Sequence, residues 1–180
     1  MPFDPTTLTH LQAVGFDVDG VLTDGTLTWT PTGEELKRFH FADIMGISLL
    51  RRLDVKMALI SGEPAPQVDL FAQKLHIPFV VKGTRDKATA IREFAEKFSL
   101  DLAHTAFFGD DVNDLFAMEL VGIPCCPSNA ALEVRSYVLS RAGFVSTRPG
   151  GAGAVREFAD TVLSARGLTG RNVFPLRPPA

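Results

Sequence analysis

The 180-residue chain has little cysteine, no large excess of either charge and no long apolar run, and each shortage excludes something. Its two cysteines, Cys125 and Cys126, are neighbours, and adjacent thiols cannot bridge each other without strained geometry. A disulfide scaffold is therefore excluded, and a reducing compartment is expected. Lys plus Arg number 18 against 21 for Asp plus Glu, a formal charge of −3, so no basic field exists to hold a polyanion. Nucleic acid is not expected as a partner. No apolar stretch approaches the roughly 20 residues that a spanning helix needs, and the segment from Met1 to His10 carries Asp4 and no hydrophobic run. The expectation is a soluble, cytoplasmic protein with no membrane partner.

Apolar side chains sufficient for a core are present, since 46% of the residues are hydrophobic, and one domain is expected at this length. Short β-type runs alternate with longer helical ones, the pattern of a parallel sheet covered by helices. Strands are predicted over 13–18, 55–60, 77–81, 105–108 and 123–126, with Val138-Leu139 as a last edge strand. A helix capped by Asp43 carries Ile44, Ile47, Leu50 and Arg51. A second, opened by Pro64 or Pro66, carries Val68, Leu70, Phe71 and Leu75 on its apolar side. Further helices are predicted over 87–98, 114–121, 130–135 and 154–165, the last with Val155, Phe158, Val162 and Leu163 as its buried stripe. Between about 26 and 41, two apolar runs flank Pro31-Thr32-Gly33, which reads as a β-hairpin inserted after strand 1. The expected fold class is α/β, a Rossmann-like doubly wound parallel sheet. Residues 1–10 read as an N-terminal extension, 11–167 as the domain and 168–180 as a mobile, proline-rich tail.

In an open α/β sheet, ligands bind beyond the carboxyl ends of the strands. In chain order those places hold Asp17 and Asp19, then Ser61 and Gly62, then Lys87 at a helix start, then Asp110, Asp111 and Asp114. Carboxylates converging on one rim repel unless a divalent cation sits among them, and oxygen-only ligands favour Mg²⁺ over zinc. A hydroxyl and an ammonium on the same rim suit a phosphoryl group, whose growing charge must be neutralised during transfer. Of Asp17 and Asp19, one can attack phosphorus while the other protonates the leaving oxygen and later activates water. A lone aspartate at a strand end is more often a turn or cap residue, but that explains the ordered set poorly.

The run Asp17-Val18-Asp19-Gly20-Val21-Leu22-Thr23-Asp24, followed by Ser61, Lys87 and Gly109-Asp110-Asp111-Val112-Asn113-Asp114, resembles the haloacid dehalogenase superfamily of phosphotransferases over about residues 11 to 166. The segments Gly33-Glu34-Glu35-Leu36-Lys37 and Gly150-Gly151-Ala152-Gly153-Ala154-Val155-Arg156-Glu157 narrow the resemblance to its capless branch. That branch contains the 3-deoxy-octulosonate 8-phosphate and nonulosonate 9-phosphate phosphatases. The resemblance implies a fold without a cap domain, with Asp17 as nucleophile and metal ligand. It implies Asp19 as acid/base and, through its backbone carbonyl, a ligand of Mg²⁺, with Asp110 as the third protein ligand. Asp111 and Asp114 become supporting carboxylates, and Ser61, Gly62 and Lys87 the phosphate clamp. A homotetramer is also implied, with neighbouring subunits completing the active site and Gly150 to Gly153 approaching a neighbour's ligand. Independently, a hairpin bearing Leu27, Trp29, Leu36 and Phe39 cannot bury both faces on its own small sheet, although Trp29 packing within its own chain fits the sequence equally well.

The sequence departs from the octulosonate pattern in two places. That pattern has Thr-Gly-Arg after the second strand and Arg-Asp-Gly before the first helix, where this chain has Ser61-Gly62-Glu63 and Ala42-Asp43-Ile44. Two cations suited to a substrate carboxylate are thus absent. The nonulosonate phosphatases pair a Glu at this place with a Lys eleven residues on, here Lys74. On one helix that separation is roughly 16 Å, so Lys74 is expected to serve a neighbour's site. The sequence reading therefore leans to a nonulosonate 9-phosphate, with octulosonate 8-phosphate or a permissive range of small phosphates as the alternatives. A phospho-receiver signalling domain is the rival from another class; it lacks a second acidic cluster late in the chain, which Asp110 to Asp114 supplies here. The four histidines show no metal-ligand spacing, and Cys125 and Cys126 are expected to be buried.

Overall fold

The run Ala13-Val14-Gly15-Phe16 has no polar side chain and forms β1 (Ala13–Phe16), fully buried at the centre of the sheet. The computed structural model describes residues 2–178; Met1, Pro179 and Ala180, at the outer ends of the expected extension and tail, lie outside the described residues. β1 pairs in parallel with β4 (Lys56–Ile60) on one side and β6 (Thr105–Phe108) on the other. With β5 (Phe79–Val81), β7 (Ile123–Cys126) and β8 (Phe144–Val145), all pairing in parallel, the six-stranded order is β5-β4-β1-β6-β7-β8. Helices α1 (Phe41–Arg52), α2 (Pro66–Leu75) and α6 (Ala154–Ala165) bury Ile47, Val68, Phe71 and Phe158 on one face. The other face is covered by α3 (Lys87–Phe98), α4 (Leu115–Met118) and α5 (Leu132–Ser140) through Ile91, Phe94, Met118 and Val138. The sheet is thus doubly wound, and all its carboxyl ends share one rim.

The expected hairpin is present as β2 (Thr28–Trp29) paired antiparallel with β3 (Glu35–Leu36). Trp29 is 65% exposed, so most of it is left uncovered by its own chain, and Leu27 and Leu36 are exposed as well. Phe39 differs from them: its ring stacks on Phe71 of α2 with centroids 3.9 Å apart, anchoring the hairpin's exit. Among the described residues no other insertion covers the strand ends, and no helix is long and apolar enough to cross a membrane.

Several boundaries move. Asp43 is not the cap of α1; His40 is, its Nδ1 accepting from the Ala42 amide. Asp43 lies inside the first turn, 1% exposed, and accepts from the amides of Gly153 (3.0 Å) and Arg156 (2.8 Å). The N-cap of α6 is Gly153, which has no side chain to satisfy the helix's free amides, so Asp43 caps it from across the domain. Leu70 is exposed because the buried stripe of α2 runs through Val68, Phe71, Ala72 and Leu75, and a residue two places on from Val68 faces away. Val138-Leu139 is not a strand: Val134 and Val138 continue a helical period through α5, and the edge strand is β8. The helix predicted over 114–121 is the short α4, preceded by a 3₁₀ turn over Val112–Asp114. The tail is not without core contact, since α7 (Gly170–Val173) buries Val173 with Leu49 and Leu163. At the other end, Leu8 of the 3₁₀ turn Pro5–His10 is fully buried.

Candidate active site

The functional side chains other than Lys87 follow a strand that has just run out of ladder partners. The Asp17 amide still donates to Phe108 O (2.9 Å), after which the chain turns, with the Leu22 and Thr23 amides donating to Val18 O (2.9 and 3.0 Å). That loop presents Asp17 and Asp19 to the same cleft, as the sequence reading requires. After β4, Ser61 Oγ accepts from the Glu63 amide (3.1 Å), a tight turn that faces Ser61 and Gly62 inward. Lys87 opens α3 behind its N-cap Asp86. After β6, Asp111 and Asp114 form a reciprocal capping box that fixes the acidic loop.

The ammonium of Lys87, 1% exposed, sits 2.8 Å from Asp17 Oδ1 and 2.6 Å from Asp114 Oδ1. Asp114 Oδ2 accepts from the amides of Asp110 (2.9 Å) and Asp111 (3.2 Å). Both oxygens of Asp114 are therefore engaged, and it orients Lys87 and the loop rather than facing a ligand. One oxygen each from Asp17, Asp110 and Asp114 lies within 4.8 Å of the others. Burial, then the charge of Asp114, pushes Asp17 up to about 8 against the opposing pull of Lys87. The same two causes push Asp110 up to about 7. Three carboxylates against one ammonium leave the cleft short of positive charge, and an all-oxygen donor set of this kind fits a hard divalent cation. Asp19 Oδ2 is buried and has no hydrogen-bond partner among the described residues.

The loop is held close by glycines. Gly20 has φ +89°, and a Cβ there would lie 2.0 Å from Asp110 Oδ2. A Cβ on Gly150 would lie 1.7 Å from Gly20 O, while the Gly150 amide donates to Asn129 Oδ1 (2.9 Å) and the Gly151 amide to Val21 O (2.9 Å). Within its own chain, the segment 150–153 makes its close approach to the nucleophile loop.

The cleft, about 270 Å³, brings together Asp17, Asp19, Ser61, Gly62, Glu63, Lys87, Asp110 and Asp111, with Asn113 added. Lys74 is not among them; it is exposed in the last turn of α2 and does not meet Glu63 in one chain. A larger cavity of about 390 Å³, lined by Arg51 and His76, holds none of these groups. Cys125 and Cys126 are free and buried, and burial pushes the Cys126 thiol up to about 12. Sequence reasoning missed Asn129, and it missed the contact of Lys37 Nζ with Asp19 Oδ1 (2.6 Å). The available signal for Lys37 was strand alternation, which places it on the same face as Glu35.

A family model described as haloacid dehalogenase-like hydrolase matches residues 57–140. The 3-deoxy-D-manno-octulosonate 8-phosphate phosphatase of Haemophilus influenzae is 35% identical over 160 residues, covering 89% of this chain and 87% of that protein. The solved structure of the Moraxella catarrhalis 3-deoxy-D-manno-octulosonate 8-phosphate phosphatase, in complex with magnesium ion, phosphate ion and KDO, superposes with TM-score 0.84 at 31% identity and covers 91% of both chains. The cobalt-bound deoxy-D-mannose-octulosonate 8-phosphate phosphatase of Haemophilus influenzae gives TM-score 0.82 at 34% identity, covering 89% of this chain and 92% of that one.

Proposed function

Because this chain belongs to the haloacid dehalogenase-like hydrolases and is a phosphoric monoester hydrolase, we propose that it hydrolyses 3-deoxy-D-manno-octulosonate 8-phosphate through an aspartyl-phosphate at Asp17. The observation that carries the chemistry is the single cleft in which Asp17, Asp19, Lys87 and Asp110 converge at the strand ends. The named substrate of the relatives supports the eight-carbon acid, which was the alternative in the sequence reading. The nine-carbon reading retains one support, Glu63 in the cleft where a carboxylate-binding cation is absent.

Asp17 and Asp110, with the backbone carbonyl of Asp19, would hold Mg²⁺, which when bound neutralises charge on the carboxylates and on the phosphoryl oxygens. Ser61 Oγ, the Gly62 amide and the Lys87 ammonium hold the phosphoryl group. A carboxylate oxygen of Asp17 bonds to phosphorus as the ester P–O bond breaks, and Asp19 gives its proton to the departing sugar oxygen. Asp19, now ionised, takes a proton from a water whose oxygen attacks phosphorus, releasing inorganic phosphate and restoring Asp17. Asp114 and Asp111 hold the acidic loop in place throughout.

Phosphate release from octulosonate 8-phosphate and nonulosonate 9-phosphate, each with Mg²⁺ and with chelator, tests this. The eight-carbon ester is expected to be preferred by about tenfold or more in kcat/KM, with activity lost in chelator. Preference for nine carbons, or equally poor rates on both, would overturn the substrate.

Exposed Leu27, Trp29 and Leu36 on one hairpin support a homotetramer. Light scattering should then give about four times the 19.5 kDa chain mass, and replacing all three by serine should lower it. A single-chain mass for the unaltered protein would contradict the assembly. Free, unbridged cysteines support a cytoplasmic location.

A further inference from the structure

We infer that Lys37, on the hairpin, is a positioning residue that fixes the carboxylate of Asp19 for proton transfer; this rests on the hydrolase reading of the same cleft. The Lys37 side chain is 5% exposed, and its Nζ lies 2.6 Å from Asp19 Oδ1 and 2.7 Å from Glu35 Oε1. Glu35 lies in β3 and Lys37 just past its end, and their ion pair turns both to the same side, so the exit of the hairpin carries the ammonium to the loop after β1. Lys87 also holds two carboxylates but lines the cleft, whereas Lys37 does not line it and so faces Asp19 and Glu35 rather than a substrate. Its geometry serves Asp19.

The hold is asymmetric in a useful way. Asp19 Oδ1 is tied to Lys37, while Oδ2 is buried and has no hydrogen-bond partner among the described residues. Thr23 Oγ1, which also donates to Oδ1, stands at 3.4 Å, at the far limit of a hydrogen bond, so among the described residues Lys37 is the principal restraint on the side chain's rotation. The hairpin is itself braced: Gln67 of α2 donates to the Glu35 carbonyl, and Phe39 stacks on Phe71. A rigid element therefore aims one oxygen of Asp19 by gripping the other. Misplacement of a reacting group by about 1 Å is enough to cost about 100-fold in rate.

A positioning role and a merely structural one differ in how activity responds to the leaving group. Proton delivery by Asp19 matters when the leaving group is a poor one, such as a sugar alkoxide, and matters little for p-nitrophenolate, which departs unprotonated. Since kcat/KM covers the steps up to phosphoenzyme formation, it isolates that proton transfer from the later hydrolysis. Lys37→Met should lower kcat/KM about 100-fold on octulosonate 8-phosphate, or on whichever alkyl monoester the unaltered protein turns over best, and less than about tenfold on p-nitrophenyl phosphate. Lys37→Arg, which keeps a cation beside Asp19, should recover most of the alkyl-ester activity. Both esters are assayed on one sample, so any loss of folded protein cancels in the ratio. Equal losses on the two esters, or no loss on either, would overturn the inference while leaving the hydrolase reading intact. An unaltered protein that releases phosphate from neither ester would overturn both.

Discussion

Asp17→Asn is expected to reduce phosphate release by at least about 1,000-fold without unfolding the chain. The amide keeps the shape of the carboxylate but cannot bond to phosphorus as a nucleophile, so the first step has no substitute. Stability should move the other way. Asp17 is 6% exposed, and burial together with the charge of Asp114 opposes its ionisation. Its pKa rises from 3.8 in an ordinary setting to about 8 in the fold. Between those values the folded chain holds a proton that the unfolded chain has released, so in metal-free protein this group costs more stability as pH climbs through that window. The asparagine variant lacks that loss. Measured in chelator, its advantage in unfolding free energy should grow from about pH 4 towards pH 8, and an advantage that shrank with rising pH would contradict the buried, like-charged setting described here.

Lys87→Met removes the ammonium shared by Asp17 and Asp114 and leaves two carboxylates facing each other in a closed site. Breaking a buried ion pair from one side costs about 3–5 kcal/mol, because the remaining charge keeps its desolvation penalty and loses its partner. Phosphate release should vanish as well, since the same ammonium is assigned to the transferred group. Lys87→Arg should not restore activity, for the planar guanidinium cannot occupy the site of a compact ammonium with two carboxylates at 2.6 to 2.8 Å. Urea unfolding at fixed pH reads the stability change, and a difference under about 1 kcal/mol would mean that the lysine is not structural to the cleft.

The parts of the fold legible in the sequence were those governed by local period. The helix over residues 87–98 and the strands over 105–108 and 123–126 fall where their apolar spacing placed them. Asp17, Asp19, Ser61, Lys87 and Asp110 were legible for a different reason: in a parallel sheet the residues after each strand must share a rim, so order along the chain becomes proximity in space. Long-range pairings were not legible. Asp43 looked like the cap of its own helix, and only the packing of α1 on α6 shows that it caps a helix beginning 110 residues later. Lys37 was hidden because a hairpin with polar residues on one face and apolar residues on the other does not announce which loop it folds against. The glycines at 150 and 151 invited a reading as a reach towards a neighbour. Their own chain's nucleophile loop, within van der Waals distance, supplies a sufficient reason for the missing side chains.

The most direct measurement is to mix the protein with Mg²⁺ and ester carrying a labelled phosphoryl group, quench in acid within the first turnover, and locate the label in a digest. Label should appear transiently on the peptide containing Asp17, in a form that borohydride reduces as an acyl phosphate, and should be absent from Asp17→Asn. Ester consumed at full rate with no labelled protein at any time, or label carried by Asp19 instead, would contradict the assignment of residue 17 as the group that receives phosphorus.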